Sequence, residues 1–254
     1  MKKKIETLFE YRKIPYLLSF IEKKSRKKLN KNLIKLQIAI YELDHYLETN
    51  WDLSQKELTK CWKEIFRSLK KLELKPTKAF ELTNHIRRYQ RHEEQLRIGK
   101  LPTRINKEFY YYFKSCDVRL MREIIYDLNP AINLKCKLQD WRYFDIITEI
   151  NDDVEDVFED QKTINGNMFL IQFIEQGPNQ TIKEFEAFIQ TTLSKERLRH
   201  SGSKSKDSNQ INKAAIKEAN RTLEMVYRNV EILKNTSIKR QMPLLKHKIL
   251  SFIP

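Results

Sequence analysis

The chain has 254 residues, of which 49 are lysine or arginine and 34 are aspartate or glutamate, so its formal net charge is +15. This length suffices for a domain with its own core. Only four glycines accompany abundant Leu, Ile, Lys and Glu, which favours long helices over turn-rich β structure. We therefore expect an all-α protein, and its excess positive charge favours an anionic partner: nucleic acid, a membrane surface or a phosphorylated substrate.

The sequence gives no sign of export or of membrane insertion. The N-terminal stretch "MKKKIETLFEYRKIPYLLSFIEKK" opens with charges, but its apolar stretch is short and is followed by further charges, so we predict no secretion signal. No window reaches the roughly 18 uninterrupted apolar residues of a spanning helix. Cys61, Cys116 and Cys136 lack metal-ligand spacing and cannot all pair with one another. We expect a soluble protein of the reducing cytoplasm.

Helical spacing of apolar residues predicts five helices in the first half of the chain. Asp52 or Ser54 can cap the third of them, and Pro76 marks the start of the fourth. The stretches "GKLPTR" and "LNPAIN" flank the fifth. The predicted helices are 4–27, 30–49, 53–72, 77–98 and 104–128.

Four further helices and a short tail helix after Met242 are predicted in the second half. Glycine turns in "INGN" and "EQGPNQ" separate the first three. The polar stretch 199–210, "RHSGSKSKDSNQ", predicts a surface loop, with a mobile basic lid as the functional alternative. Because nothing else resembles a linker, we predict a single domain over 1–254. The predicted helices are 138–162, 166–175, 179–199 and 209–234.

An acidic segment, "EINDDVEDVFED" at 149–160, contrasts with the basic chain, since seven of its twelve side chains are acidic. With about 100° per residue, Asp152, Asp156 and Asp160 fall on one helical stripe, with Glu149 and Glu159 beside it. Two interpretations stay open. The stripe is a solvated face that pairs with lysines and arginines, or its carboxylates bind Mg²⁺, which prefers oxygen ligands.

A second, smaller acidic pair lies about a hundred residues earlier, in "IAIYELDHYLETN". Asp44 and Glu48 are four residues apart on one helical face, and His45 follows Asp44. Carboxylates at this spacing are common on solvated helices. Two helices with carboxylates in an all-α chain nevertheless form a more specific pattern than either helix alone.

These two segments together resemble the acidic motifs of class I isoprenoid synthases, the family of terpene cyclases and squalene/phytoene synthases. "DDVEDVFED" is similar to the "NxxxDxxED" second motif, and "DHYLE" to a degenerate "DDxxD/E" first motif in which His45 replaces an acid. The resemblance implies an all-α bundle with a central active-site cavity and a Mg²⁺ cofactor. The metal ligands that it implies are Asp44, Glu48, Asp152, Asp156, Glu159 and Asp160.

The resemblance also implies groups that bind the diphosphate. The segment "SCDVRLMREII" offers Arg119 and Arg122, and Asp117 could bind metal or orient Arg119. Tyr227 and Arg228 in "EMVYRNVEIL" are similar to the Arg-Tyr pair of many cyclases, in reversed order. Catalysis would depend on Asp44, Asp152 and Asp156 together with Arg119.

Aromatic residues near the acidic segment suit either a carbocation pocket or a helical core. "KEFYYYFKSC" supplies five consecutive rings, and Trp141, Tyr143 and Phe144 precede the acidic segment. A ring face can stabilise a nearby cation by about 0.5 to 2 kcal/mol. For any single ring, packing in the core is the simpler interpretation.

The expected function is that of a terpene synthase that acts on farnesyl or geranylgeranyl diphosphate, without nucleic acid and without an integral membrane segment. Coupling of two prenyl chains and an inactive scaffold are alternatives within the same fold, and a homodimer is left open. A helical nucleic-acid-binding protein is the alternative from another class. Its candidate phosphate contacts are Arg26, Lys27, Lys28, Arg87, Arg88 and Arg91.

Overall fold

A computed structural model describes residues 1–96, 106–162, 166–201 and 205–235. Eleven α-helices and several 3₁₀ turns make up most of this part of the chain, and it contains no strand. The all-α prediction is therefore confirmed. No helix in the described ranges is both long and apolar enough to cross a bilayer.

The chain divides into two compact units. The first unit comprises residues 1–92 and 116–138, and the second comprises the described residues of 93–115 and 139–254. Each unit has its own buried apolar side chains. That residues 1–254 form one domain stays a prediction.

The first unit is organised around its longest helix, α3. This helix packs along α4 and contacts α1 and α7, while α2 contacts α7. Leu33, Leu36 and Leu47 of α3 are fully buried, as are Ile65 and Ile124. The helices are α1 (Lys2–Tyr11), α2 (Ile14–Leu18), α3 (Lys23–Thr49), α4 (Gln55–Lys70), α5 (Pro76–Leu96, of which the part up to His92 belongs here) and α7 (Cys116–Leu128).

Two helices that were predicted as continuous in the first half of the chain are interrupted in the structure. The predicted helix 4–27 is interrupted because Lys13 takes a left-handed backbone (φ 58°) and Pro15 then opens α2. The predicted helix 104–128 is interrupted at Ser115, whose hydroxyl donates to the carbonyl of Tyr112 at 2.9 Å. Such a local bond competes with the helical hydrogen bonds.

The second unit is organised around α8 (Arg142–Glu155). Ten of its fourteen residues are buried, because α6, α9, α10 and α11 all pack against it. Its neighbours are α6 (Lys107–Lys114), α9 (Met168–Gln176), α10 (Pro178–His200) and α11 (Lys206–Lys234). A helix covered on nearly every side must have a partner for each polar group that it buries.

The ends of the helices in the second unit differ from the prediction in two places. The predicted helix 138–162 is α-helical only over Arg142–Glu155, between 3₁₀ turns at Leu138–Trp141, Asp156–Phe158 and Asp160–Lys162. The predicted loop 199–210 is too long, since His200 and Ser208 are buried helical residues whose Nδ1 and Oγ lie 2.6 Å apart. Gly177 (φ 80°) and Pro178 separate α9 from α10 as predicted. The predicted tail helix after Met242 lies outside the described residues.

Candidate active site

The acidic segment occupies the C-terminal end of α8 and the 3₁₀ turns that follow. Asp152 is half-buried, Asp156 and Glu159 are exposed, and Asp160 is buried. The predicted single stripe is therefore wrong for Asp160. The physical reason is that α8 ends at Glu155, and a 3₁₀ turn advances with three residues per turn instead of 3.6.

Asp153, which the sequence analysis did not single out, is the acid at the centre of this segment. Its side chain is fully buried and accepts hydrogen bonds from the Tyr111 hydroxyl at 2.8 Å and the Met168 backbone N–H at 2.9 Å. The Lys114 ammonium forms an ion pair with its other oxygen. One carboxylate thus joins α6 and the start of α9 to α8.

Asn167 extends this network to Asp160. Its side-chain amide donates to Asp160 Oδ2 at 2.7 Å and to the Asp153 backbone carbonyl at 2.6 Å. Its carbonyl oxygen accepts from the Leu170 N–H at 2.8 Å and so caps α9. The Tyr110 hydroxyl donates to the Gly166 carbonyl. The "INGN" turn is therefore attached to the acidic segment through Asn167 and to α6 through Gly166.

Burial governs the protonation of this network. It raises the pKa of Asp160 to about 7, although the Lys114 charge and the Asn167 hydrogen bond act in the opposite direction. Burial alone would lower the pKa of Lys114, but the charge of Asp153, with smaller effects from Asp160 and Glu149, raises that pKa well above its ordinary value. Lys114 thus stays charged, and Asp160 is the titratable member near neutral pH.

α11 lies against the same end of α8. The Asn229 amide donates to the Val154 carbonyl at 2.6 Å, and Arg221 Nη2 lies 2.9 Å from Glu155 Oε2. Arg228, one of the predicted diphosphate ligands, is exposed and donates from Nε to Asn229 Oδ1 at 3.4 Å. An exposed guanidinium is thus attached to the residue that contacts the C-terminal end of α8.

Tyr227 is exposed on the neighbouring position of α11. A hydrogen bond with the Glu186 side chain raises the pKa of its phenol. The predicted pair therefore shares the second unit with the acidic segment, and Tyr227 already has a carboxylate partner on α10.

The remaining predicted ligands belong to the first unit. Asp44 and Glu48 are half-buried on α3, and Asp44 accepts a hydrogen bond from the Tyr89 hydroxyl. Arg119 is half-buried on α7.

Arg122 is fully buried in the first unit, where its Nη2 donates to the Arg12 carbonyl at 2.8 Å. A diphosphate has no access to that guanidinium in this conformation. Asp117 accepts a hydrogen bond from Gln37 Nε2 at 2.7 Å, so its side chain already has a partner on α3.

Two tyrosines of the aromatic run in α6 pack in the core of the second unit, and their hydroxyls hydrogen-bond to the network around the acidic segment. Tyr110 and Tyr111 are buried with their hydroxyls bound to the network, and Tyr111 stacks on Phe188 with ring centroids 5.9 Å apart. The Arg142 guanidinium lies over the Tyr112 ring, 4.2 Å from its centroid. Phe109 is exposed. For these rings the packing interpretation agrees with their surroundings.

Within residues 1–96, 106–162, 166–201 and 205–235, no three His, Cys, Asp or Glu side chains are grouped so as to hold a metal ion. A Mg²⁺ ion that binds a phosphorylated substrate usually takes only one or two protein carboxylates, and phosphate oxygens and waters complete its coordination. Asp152 and Asp156 are four residues apart, and both are accessible to solvent.

Comparison with protein-family models, with curated proteins and with solved structures found no match to this chain. The resemblance therefore depends on the sequence motifs alone.

Removal of the Asp153 charge tests the buried ion pair. In Asp153→Asn the Lys114 ammonium keeps its partly buried position without its nearest carboxylate, so we expect a loss of roughly 3 kcal/mol in the free energy of unfolding. Urea denaturation followed by circular dichroism measures this loss. Asp152→Asn, the half-buried neighbour, is the matched control and should change stability by less than about 1 kcal/mol.

A second replacement separates the ion pair from simple packing. Lys114→Met in the Asp153→Asn background removes the uncompensated charge and should recover part of the lost stability. Equal small losses in Asp153→Asn and Asp152→Asn would show that the pair does not stabilise the second unit.

The raised pKa of Asp160 predicts a specific pH dependence of stability. The unfolded chain releases this proton near the ordinary pKa of about 3.9, whereas the native protein holds it up to about pH 7. The contribution of Asp160 to the free energy of unfolding should therefore fall as pH rises from about 4 to 7, by an amount on the order of a few kcal/mol. Asp160→Asn should flatten this fall and make the protein more stable than wild type at pH 8.

Urea midpoints of the two proteins between pH 4 and pH 8 measure the effect. Glu159→Gln, which neutralises an exposed acid of the same segment, should reproduce the wild-type profile. If Asp160→Asn also kept the wild-type profile, the buried carboxyl would not be the group that titrates.

Proposed function

We propose that the chain is a Mg²⁺-dependent class I terpene synthase. It would ionise a prenyl diphosphate such as farnesyl or geranylgeranyl diphosphate, cyclise or rearrange the carbocation and release diphosphate. The observation that carries the proposal is the division of the acidic segment. Asp153 and Asp160 belong to a buried network, while Asp152 and Asp156 stay accessible at the end of α8.

This division supports a metal site because the two sets of acids have different tasks. The buried set fixes the end of α8 against α6 and α9. The accessible pair, Asp152 and Asp156, can then offer oxygen ligands at the end of α8. Glu159, also exposed, is the third accessible acid of the motif.

Ionisation of a prenyl diphosphate needs stabilisation of the negative charge that develops on the leaving group. Bound Mg²⁺ would supply this as a Lewis acid and would orient the diphosphate. Arg228 would bind diphosphate oxygens, since a guanidinium fork matches their geometry. Asp44, Glu48 and Arg119 belong to the first unit, and their roles as metal and diphosphate ligands stay what the resemblance alone implies.

The first experiment is incubation of the purified chain with geranyl, farnesyl or geranylgeranyl diphosphate, with Mg²⁺ or with EDTA. We expect Mg²⁺-dependent release of diphosphate together with a hydrocarbon or alcohol product that gas chromatography and mass spectrometry identify. Asp152→Ala and Asp156→Ala should each lower the turnover about 100-fold or more, because each removes a metal ligand.

Glu155→Ala is the matched control, since Glu155 is an exposed acid of the same segment that pairs with Arg221. Its turnover should stay within about twofold of wild type. A condensed C30 or C40 product would identify the coupling reaction instead of cyclisation. Absence of turnover with all three substrates in a folded protein would overturn the proposal, and salt-sensitive binding of nucleic acid in the same preparation would favour the alternative class.

A further inference from the structure

The first unit has an open groove between α4 and α5 that contains none of the acids discussed above. Its volume is about 460 Å³, which lies within the range of about 300 to 1,000 Å³ that is typical of small-ligand sites. The lining residues come from the second half of α4, from the connecting turn and from the first half of α5. They are Phe66, Leu69, Lys70, Leu74, Ala79, Phe80, Thr83 and Arg87.

Most of the lining is apolar, and part of it faces solvent. Phe66 is 45% exposed and Phe80 is 65% exposed, values that are high for phenylalanine. Trp62 continues the aromatic surface, since its ring centroid lies 5.5 Å from that of Phe66. A contiguous apolar surface with polar residues at its rim usually marks a binding site.

Two cations at the rim have no acidic partner among the described residues. The side chains of Lys70 and Arg87 make no ion pair or hydrogen bond within this part of the chain, although the Arg87 guanidinium lies 5.6 Å from the centroid of the Trp62 ring. None of the lining residues is acidic.

Some other cations of the same two helices, all outside the groove, do have acidic partners. Arg67 of α4 pairs with Glu64, and Lys78 of α5 lies 3.1 Å from Glu81 and from Glu123. The groove thus combines an apolar surface with two positive charges that its own residues leave uncompensated.

We propose that this groove binds a free amphiphile with a single alkyl or isoprenoid chain and an anionic phosphate or carboxylate head. The chain lies on Phe66, Leu69 and Phe80, and burial of this surface supplies most of the affinity. Lys70 and Arg87 bind the head, and the planar guanidinium donates hydrogen bonds to two of its oxygens.

The observations favour a single-chain amphiphile over two other occupants. A flat membrane surface requires a convex or planar patch, whereas these residues line a concavity. An acidic partner helix would need a longer row of apolar pockets at helical spacing. The proposal is independent of the proposed enzymatic activity, because no groove residue belongs to the acidic segment or to the predicted diphosphate ligands.

Isothermal titration of the full chain with dodecyl phosphate, below the concentration at which it forms micelles, tests the proposal. We expect saturable binding with one site per chain. The double variant Lys70→Ala/Arg87→Ala should weaken binding about tenfold or more, because both charge-assisted contacts are lost. Phe80→Ala should weaken it severalfold, and dodecanol, which lacks the anionic head, should bind correspondingly less tightly.

The matched control is the double variant Lys60→Ala/Arg67→Ala. It removes the same charge from α4, at cations that pair with Glu57 and Glu64 outside the groove. This control should bind dodecyl phosphate as wild type does, and circular dichroism should show all variants folded. If both double variants bound dodecyl phosphate equally weakly, the loss would come from the lower net charge and not from the groove, and the proposal would be overturned.

Two further results would also overturn it. The first is the absence of saturable binding. The second is binding only to vesicles that contain anionic lipid, which would identify a membrane surface. Loss of binding in the groove variants with prenyl diphosphate turnover unchanged would support the groove as a separate site, whatever the outcome for the acidic segment.

Discussion

The ion pair between Lys114 and Asp153 is the interaction on which the second unit depends. Removing two charges from water is costly, and their attraction offsets that cost only when the remaining hydrogen-bonding positions are also filled. Asp153 meets this condition through Tyr111 and the Met168 N–H. The pair therefore fixes the relative positions of α6, α8 and the start of α9, and no single member of the network can be removed without leaving another unsatisfied.

The same pair explains how a helix rich in acids can lie at the centre of a unit. Lys114 is a cation within the protein, and Asp153, Asp160 and Glu149 all raise its pKa. Their mutual repulsion is therefore compensated without a metal ion, and one acid, Asp160, avoids part of the cost by holding a proton up to about pH 7. Asp152 and Asp156 differ from Asp153 and Asp160 in being accessible to solvent.

The sequence predicted the helical class and most of the helices, because apolar spacing and the Gly177-Pro178 break are local signals. It did not predict the breaks at Lys13 and Ser115. At Lys13 a left-handed backbone conformation ends the helix, and at Ser115 a local side-chain hydrogen bond accompanies the break. Asp153 was missed because it stands among six other acids. A usable signal was nevertheless present: Ile146, Ile150, Asp153 and Val157 share the spacing of one buried face. In a run of acids, the one that shares the spacing of the buried apolar residues can therefore be identified as the acid with a role in the core.

The distribution of the excess positive charge also decides how it should be interpreted. In the second unit, Lys107 pairs with Glu184, while Arg142 and Lys195 share Glu108, so these cations stabilise the unit instead of attracting a ligand. At the α4/α5 groove, Lys70 and Arg87 have no such carboxylates among the residues that the structure describes. A net charge of +15 therefore does not by itself indicate a nucleic-acid surface. Cations are available to an anionic ligand where acidic partners are missing and where apolar surface can bind the rest of that ligand.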